Sequence, residues 1–245
     1  MRNLIDSHAH MCDPSFDGDR GEVLQRALEA GVSGVVCVGE DQDDARRNLE
    51  LAVEHPMLIP AAGLFPSLAN PHTAREAAAF IREERRRLRA IGEVGLDYWI
   101  ARTDEQREAQ REALRLFAAL SLELDLPLNV HSRSAGLHTV ELLVEAAARR
   151  VQMHAFDGKA SAALRGVEAG FLFSVPPSVV RSRQKQKLAR ALPLDALLLE
   201  TDSPVLGPAP GKRNEPVNLL IAAEAVAELK GLTRERVLEA AAENA

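Results

Sequence analysis

Short apolar runs alternate with amphipathic stretches along the whole chain. The runs are typical of buried strands, and the stretches between them place their apolar residues at helical spacing. Eight strands are predicted, at Leu4–Ser7, Gly34–Val38, Leu58–Leu64, Ala90–Gly95, Leu128–His131, Val151–His154, Phe171–Val175 and Ala196–Glu200. Because a helical stretch follows each run, the pattern predicts parallel strands joined by helices.

Helix boundaries are clearest in the first half of the chain. Gly31 and Pro56 are natural stops for two of the predicted helices. Thr103 and Gln106 predict a capping box at the start of the longest one. The predicted helices are Glu22–Glu29, Asp44–Glu54, Thr73–Arg87 and Glu105–Leu124.

The repeated strand–helix unit favours a closed TIM-type (β/α)8 barrel, an α/β fold that forms a single domain over residues 1–245. The alternative is an open doubly wound sheet, but no GxGxxG motif follows the first predicted strand. The candidate chemistry is also spread over many strands rather than gathered at one crevice. The Pro- and Gly-rich segment Ser203–Pro216 directly follows the last strand, so we expect it to form a wall of the active site.

Composition and charge limit the choice of function. Hydrophobic residues make up 46% of the 245 residues and charged residues 27%, an ordinary balance for a protein with a buried core. The net charge of −6 argues against a protein that coats nucleic acid, but not against an enzyme that binds one strand at a cationic metal centre. We see no signal-peptide pattern, no apolar run near the ~18 residues of a membrane span, and no cysteine metal motif. We therefore expect a cytoplasmic protein without a membrane partner.

Residues that can bind a metal fall at the carboxyl ends of five predicted strands, where TIM barrels carry their active sites. Asp6, His8 and His10 alternate along the first strand end and face one side, with Asp6 placed to orient an imidazole. Each residue alone could be an ordinary polar strand end, but the joint set is hard to explain that way. The candidate ligands are His8, His10, Glu93, His131, His154 and Asp202. Six ligands exceed the needs of one tetrahedral zinc, whereas two divalent ions bridged by a carboxylate use them all.

Four further residues near the predicted mouth are candidate substrate contacts. Arg133 lies at the end of the fifth strand, and its guanidinium suits an anionic group. Lys212 and Arg213 lie in the loop after the last strand, where we expect them to bind a neighbouring phosphate. Tyr98, with Trp99 beside it, follows the fourth strand, and two interpretations stay open. The rings stack on a nucleobase, or they plug the rim of the barrel.

Six ordered segments together resemble the TatD family of metal-dependent deoxyribonucleases over almost the whole chain. They are Asp6–His10, Gly92–Asp97, His131–Arg133, His154–Gly158, Glu200–Pro204 and Lys212–Pro216. Within that family, the segments Asn129–Gly136 and Gln184–Leu188 resemble the branch of the TatD domain-containing protein 3.

The resemblance implies a barrel of the amidohydrolase-like superfamily with two metal ions. One ion is implied on His8, His10 and Asp202. The other is implied on His131 and His154, with Glu93 bridging the two. The implied ions are Mg²⁺, Mn²⁺ or Zn²⁺. The implied reaction is phosphodiester hydrolysis, often as a 3′→5′ exonuclease on single-stranded DNA.

Two departures from the family pattern bear on the substrate. The family usually shows Gly-x-His-Pro after the third strand, where this chain has Phe65 before Pro66. If that His contacts phosphate, this chain lacks the contact. Much of the family also has Cys and Ser where this chain has Ala155 and Asp157. We expect the extra acid near the mouth either to repel a phosphate or to engage a different one.

The leading mechanism is attack on phosphorus by a water shared between two metal ions. Asp202 is the expected acceptor of the water's proton, Glu93 the bridge, and Arg133 the group that offsets phosphoryl charge. A second interpretation is a metal-dependent amidohydrolase or deacylase acting on a small anionic substrate, although many such relatives bridge their metals with a modified lysine from strand four. A third is a metal-stabilised binding protein without turnover. The native metal, the oligomeric state and the choice between DNA, RNA and a small phosphoester stay open.

Overall fold

The computed structural model describes residues 4–245, which form one eight-stranded parallel sheet wrapped into a barrel. The strands pair in chain order from first to last, each parallel to the next. They are β1 (Leu4–Ala9), β2 (Val32–Cys37), β3 (Leu58–Ala62), β4 (Ala90–Gly95), β5 (Leu128–His131), β6 (Val151–Met153), β7 (Leu172–Val175) and β8 (Leu197–Leu199).

Hydrogen bonds between the ends of β1 and β8 bring the first and last strands together. The Asp202 amide donates to the His8 carbonyl at 2.8 Å, and the His10 amide donates to the Ser203 carbonyl at 2.7 Å. The Ser7 hydroxyl donates to the Leu199 carbonyl at 2.9 Å. The TIM-type barrel is therefore confirmed over the open doubly wound sheet.

Helices follow every strand and cover the outside of the barrel. They are α1 (Arg20–Glu29), α2 (Gln42–Glu54), α3 (Pro71–Glu84), α4 (Asp104–Leu124), α5 (Gly136–Glu145), α6 (Ala160–Glu168), α7 (Arg183–Ala191), α8 (Leu219–Lys230) and α9 (Arg234–Asn244). The capping box at Thr103 and Gln106 is confirmed. The third predicted helix begins two residues earlier than expected, because Asn70 and Thr73 form a second capping box there.

The core lies between the strands and the ring of helices. Large buried side chains such as Ile81, Phe117 and Phe173 pack around β3–β7, and a second buried cluster joins β1, β2 and β8 to α1, α8 and α9. Both cysteines, Cys12 and Cys37, are buried free thiols. Within residues 4–245, every helix is too short or too polar to cross a membrane.

Candidate metal centre at the mouth of the barrel

The six predicted metal ligands converge at the carboxyl end of the barrel. His8 lies on β1, Glu93 on β4 and His131 on β5, while His10, His154 and Asp202 follow β1, β6 and β8 directly or within a few residues. Glu93, Asp202, His8 and His154 are buried, and His10 and His131 are partly exposed. We call these six side chains the metal floor.

The two carboxylate oxygens of Glu93 face two different groups of imidazoles. Its Oε1 lies 2.7 Å from His131 Nδ1 and 3.2 Å from His154 Nε2. Its Oε2 lies 3.4 Å from His10 Nε2 and 3.9 Å from His8 Nε2. A carboxylate in this position can contact one ion with each oxygen, as a bridging ligand does.

Asp202 completes the half of the floor nearer β1. Its Oδ1 lies 3.5 Å from the Nε2 atoms of both His8 and His10, which are 3.3 Å from each other. Three overlapping sets of donors have the spacing to hold an ion, and each set shares a residue with the others. They are His8–His154–Asp202, His8–His10–Glu93 and Glu93–His131–His154. This mixture of imidazole and carboxylate donors fits Zn²⁺ and Mn²⁺ well.

Three of the imidazoles are oriented by a further buried polar partner. His8 Nδ1 lies 2.7 Å from Asn129 Oδ1, and His154 Nδ1 lies 3.3 Å from Glu200 Oε2. His131 Nε2 lies 3.1 Å from Asp97 Oδ2. Such partners hold the ring and its tautomer in the state a metal requires.

Asp6 has a different place from the one expected. Its carboxylate accepts hydrogen bonds from the amides of His8 and Thr201 and from the Thr201 hydroxyl. Burial raises the pKa of Asp6 to about 8, and the hydrogen bonds from Thr201 oppose that shift. Asp6 therefore ties the end of β1 to the segment after β8 and holds the His8 backbone rather than an imidazole ring.

Glycines on β4 allow Glu93 to sit this close to the neighbouring strand. A Cβ at Gly92 would lie 2.6 Å from the Cβ of Asn129, and one at Gly95 would lie 2.0 Å from the His131 carbonyl oxygen. Gly95 also has a φ of +152°, which side-chain-bearing residues rarely adopt. Asp202 has a left-handed φ of +55°, a conformation that Asp tolerates better than most residues and that is frequent at functional sites.

The electrostatics of the floor favour charged carboxylates and protonated imidazoles at His10, His131 and His154 before metal binds. Burial alone would raise the pKa of Glu93, but attraction to His154 and hydrogen bonds from its other histidine neighbours hold it well below its usual range. Burial alone would lower the pKa of His10, but its contacts with Glu93 and Asp202 raise it to about 9. The same competition lifts the pKa of His154 well above its usual value. In the metal-free protein, protons on these imidazoles therefore balance the two carboxylates, and a bound cation would take the place of those protons.

The structure also places Lys185, a residue with no assigned role in the sequence, beside the floor. Its Nζ donates to the Ala155 carbonyl at 3.0 Å. Burial lowers the pKa of Lys185, while attraction to Glu200 and Asp202 opposes that shift. Asn129 and Glu200 were predictable from the alternation of side chains along a strand, because each lies two residues before a predicted ligand. Lys185 lies on α7, where nothing in the sequence pattern distinguishes it from the neighbouring basic residues.

The predicted substrate contacts fall on two sides of the mouth. Arg133 and Lys212 are exposed, and neither makes a hydrogen bond through its side chain within the described chain. Arg213 instead forms ion pairs with Asp19 at 2.5 Å and Glu215 at 3.3 Å. The Arg213 guanidinium, expected from the sequence to bind phosphate, is therefore already paired with two carboxylates.

The two departures from the family pattern have structural roles. Phe65 packs edge-on against the His131 ring, with centroids 5.1 Å apart, so an apolar face stands where the family usually has a His. Asp157 accepts a hydrogen bond from the Ser134 amide at 2.8 Å. Its charge therefore stabilises the loop after β5.

Comparisons with known proteins agree with this geometry. A family model described as "TatD related DNase" matches residues 5–245. The chain is 44% identical to a human protein named "Deoxyribonuclease TATDN3", with 99% of this chain and 93% of the relative covered. It is 36% identical to the Bacillus subtilis "Uncharacterized metal-dependent hydrolase YabD", covering 99% and 97% of the two chains.

A more distant relative and a solved structure extend the comparison. The chain is 32% identical to the Erwinia tasmaniensis "3'-5' ssDNA/RNA exonuclease TatD", with 93% of this chain and 92% of the relative covered. The crystal structure of YJJV, a TatD homologue from Escherichia coli K12, superposes with a TM-score of 0.89 at 28% identity. It covers 98% of this chain and 95% of its own. The chain therefore belongs to the TatD family of metal-dependent hydrolases, in the branch that contains TATDN3.

Proposed function

We propose that this enzyme hydrolyses phosphodiester bonds in single-stranded DNA, releasing nucleotides in the 3′→5′ direction, with two divalent ions held on the metal floor. The proposal rests mainly on the position of Glu93, whose two carboxylate oxygens face separate groups of imidazoles. The relative named as a 3′–5′ ssDNA/RNA exonuclease supports the direction and the strand type.

The residues that would hold the ions are those of the floor. Glu93, His131 and His154 would hold one ion. His8, His10 and Asp202, whose facing atoms lie 3.3 to 3.5 Å apart, would hold the other, with Glu93 reaching both. When bound, divalent cations lower the pKa of water and offset negative charge on phosphoryl oxygens. The candidate ions are Mg²⁺, Mn²⁺ and Zn²⁺.

Asp202 is the proposed general base. It is buried, and its pKa lies below the usual value because hydrogen bonding from His8 and attraction to His154 outweigh burial. A carboxylate that stays ionised at neutral pH can accept the proton of the attacking water. Its place beside β8, at the open end of the barrel, leaves it next to the position a substrate must take.

Arg133 and Lys212 are the proposed phosphate contacts. Both cations are exposed at the carboxyl end of the barrel and lack a carboxylate partner in the part of the chain that the structure describes. An Arg guanidinium can bind two phosphoryl oxygens at once, whereas Lys supplies a point charge. Arg213 and Tyr98 hold their loops in place instead of contacting phosphate. Arg213 is paired with Asp19, and the Tyr98 hydroxyl accepts a hydrogen bond from Arg111 at 3.0 Å.

The test is turnover of metal-free protein reloaded with each candidate ion. Three substrates separate the interpretations: 3′-labelled single-stranded DNA, methyl p-nitrophenyl phosphate and a small anionic N-acyl compound. The proposal predicts metal-dependent cleavage of the first two, with mononucleotides released from the 3′ end. Cleavage of the N-acyl compound alone would support the amidohydrolase interpretation and reject the proposal.

A further inference from the structure

Two guanidinium groups contact an exposed indole on the rim of the mouth. Trp99 is 53% exposed. The Cζ atoms of Arg133 and Arg102 lie 5.0 and 5.3 Å from the centre of its ring. We call these three side chains the arginine–tryptophan rim.

The rim is attached to the metal floor through one carboxylate. Asp97 Oδ2 contacts His131 Nε2 at 3.1 Å. Its Oδ1 accepts hydrogen bonds from the amides of Trp99 at 2.9 Å and Ile100 at 3.2 Å. The Tyr98 amide donates to the Arg133 carbonyl at 3.0 Å, which joins the loops after β4 and β5. The indole is therefore held at a defined place beside the floor.

The charges of the rim are not neutralised by nearby acids. Across residues 4–245, neither Arg102 nor Arg133 forms an ion pair, and the ring of Trp99 is the only side chain that either guanidinium contacts in this way. Other arginines near the same loop are paired: Arg111 with Glu108, and Arg107 with Asp104. The two guanidinium groups thus keep their donors available to an anion.

The structure gives different answers for Tyr98 and Trp99, the two aromatic residues whose role the sequence left open. Tyr98 packs against the core, and its hydroxyl binds Arg111, so it is a structural residue of the rim. Trp99 plugs nothing, since half of its surface faces solvent. A solvent-exposed aromatic ring together with arginines that lack an acid partner is the combination that proteins use to bind unpaired nucleobases and their phosphates.

We propose that the arginine–tryptophan rim binds one unpaired nucleobase of the substrate strand on the face or edge of Trp99, with Arg102 and Arg133 contacting the adjoining phosphates. This inference rests on the proposed function and names how the enzyme selects its strand. A base within a duplex is already stacked and cannot lie on an indole, so the rim selects single-stranded ends.

Binding can be measured without turnover, because Trp99 is the only tryptophan of the chain. Intrinsic fluorescence in EDTA therefore reports on this position alone. A short oligothymidylate should quench it in a saturable way, whereas ribose 5-phosphate at the same phosphate concentration should not. Absence of quenching by the oligonucleotide overturns the inference whether or not the enzyme proves to be a nuclease.

Kinetics with matched substrates provide the second test. Trp99→Ala should lower kcat/KM on single-stranded DNA by about tenfold, mainly through KM, in line with the loss of one stacked base. Trp99→Phe should retain most of the activity. Methyl p-nitrophenyl phosphate, too small to span floor and rim, should lose much less kcat/KM than DNA does when Trp99 is replaced by Ala. Equal loss on both substrates, or none on DNA, overturns the inference. Failure of the wild-type protein on both substrates instead rejects the proposed function.

Salt dependence tests the arginines. Each phosphate contact to a single strand contributes about 0.7 to the slope of log affinity against log salt. Arg102→Gln should reduce the slope by about that amount. The control is Arg150→Gln, at the opposite end of the barrel, where the arginine pairs with Asp125; its slope should be unchanged. Equal slopes for Arg102→Gln and the wild-type protein overturn the role of Arg102.

Discussion

The metal floor and the arginine–tryptophan rim lie side by side but differ in how their charges are partnered. On the floor, Glu93 contacts imidazoles with both oxygens, and most of the imidazoles contact a second polar partner. On the rim, Arg102 and Arg133 are exposed and contact an indole, with no acid partner in the described residues. A buried charge without a partner costs folding free energy, whereas an exposed cation is hydrated and stays available to a ligand.

The contrast assigns the two regions different work. A floor of mutually held groups is preorganised for chemistry, so changes there should lower kcat. A rim of available donors binds substrate, so changes there should raise KM. Position alone does not make an arginine a substrate contact. Arg213 lies at the same end of the barrel, yet its guanidinium is paired with Asp19 and Glu215.

The largest expected effect comes from the floor. Asp202→Asn keeps the size of the side chain and removes its charge and basicity. Turnover at saturating metal should fall by about 10² or more, the usual contribution of a general base. KM for single-stranded DNA should change little. Full rescue by excess metal would show that Asp202 is only a ligand.

His131→Ala is the matched floor variant for that experiment. It deletes an imidazole beside Glu93 without touching the proposed base. Part of its lost activity should return as the metal concentration rises, because a weakened site can still be filled by mass action. Turnover curves against metal concentration for both variants distinguish a base from a ligand.

Asp97 tests whether floor and rim are separable, since it contacts both His131 and the Trp99 backbone. Asp97→Asn should lower metal affinity or kcat by about 10- to 100-fold, as substitution of other ligand-orienting groups does. It should also raise KM for DNA. A change confined to KM would mean that Asp97 serves the rim alone.

The pH dependence of metal binding follows from the pKa of His10, about 9 in the metal-free protein. Below that value His10 is protonated, and a metal must displace the proton to bind. Apparent affinity should therefore rise with pH, by about tenfold per unit for each proton displaced, until near pH 9 for His10. Calorimetry in buffers of different ionisation enthalpy counts the protons released; none released at pH 7 would contradict this charge state.

The smallest expected effect concerns Phe65, which stacks edge-on beside His131. Phe65→His places a hydrogen-bond donor where the family usually has one. Activity on DNA should rise by about two- to tenfold if the new imidazole reaches a phosphate oxygen. Phe65→Leu is the control, since it is apolar and should bring no gain. Identical kinetics for all three proteins would show that this departure does not affect the substrate.

Much of the fold and floor was predictable from sequence. Strand period and helix caps place the elements within a few residues, and parallel strands bring their carboxyl ends to one mouth. His8 and His154 were found as polar residues ending apolar runs, and the structure stacks their rings 3.7 Å apart.

The partners of the charges were not predictable in the same way. Asp19 and Arg213 are separated by 194 residues in the chain, so no local pattern shows that they pair. The availability of Arg133 likewise depends on which acids other loops bring near it. Asp6 fixes the end of β1 rather than an imidazole, because the amide and hydroxyl of Thr201, a residue distant in sequence, donate hydrogen bonds to it.

Metal content of the wild-type protein and Glu93→Gln tests the central claim most directly, because Glu93 is the one floor residue whose two oxygens face both groups of imidazoles. After equilibration with excess Mn²⁺ or Zn²⁺ and removal of free ion, elemental analysis of the wild-type protein should approach two ions per chain. Glu93→Gln, folded as shown by circular dichroism, should retain one or fewer. A ceiling of one ion in the wild-type protein, or two retained by Glu93→Gln, would contradict a bridged two-ion floor.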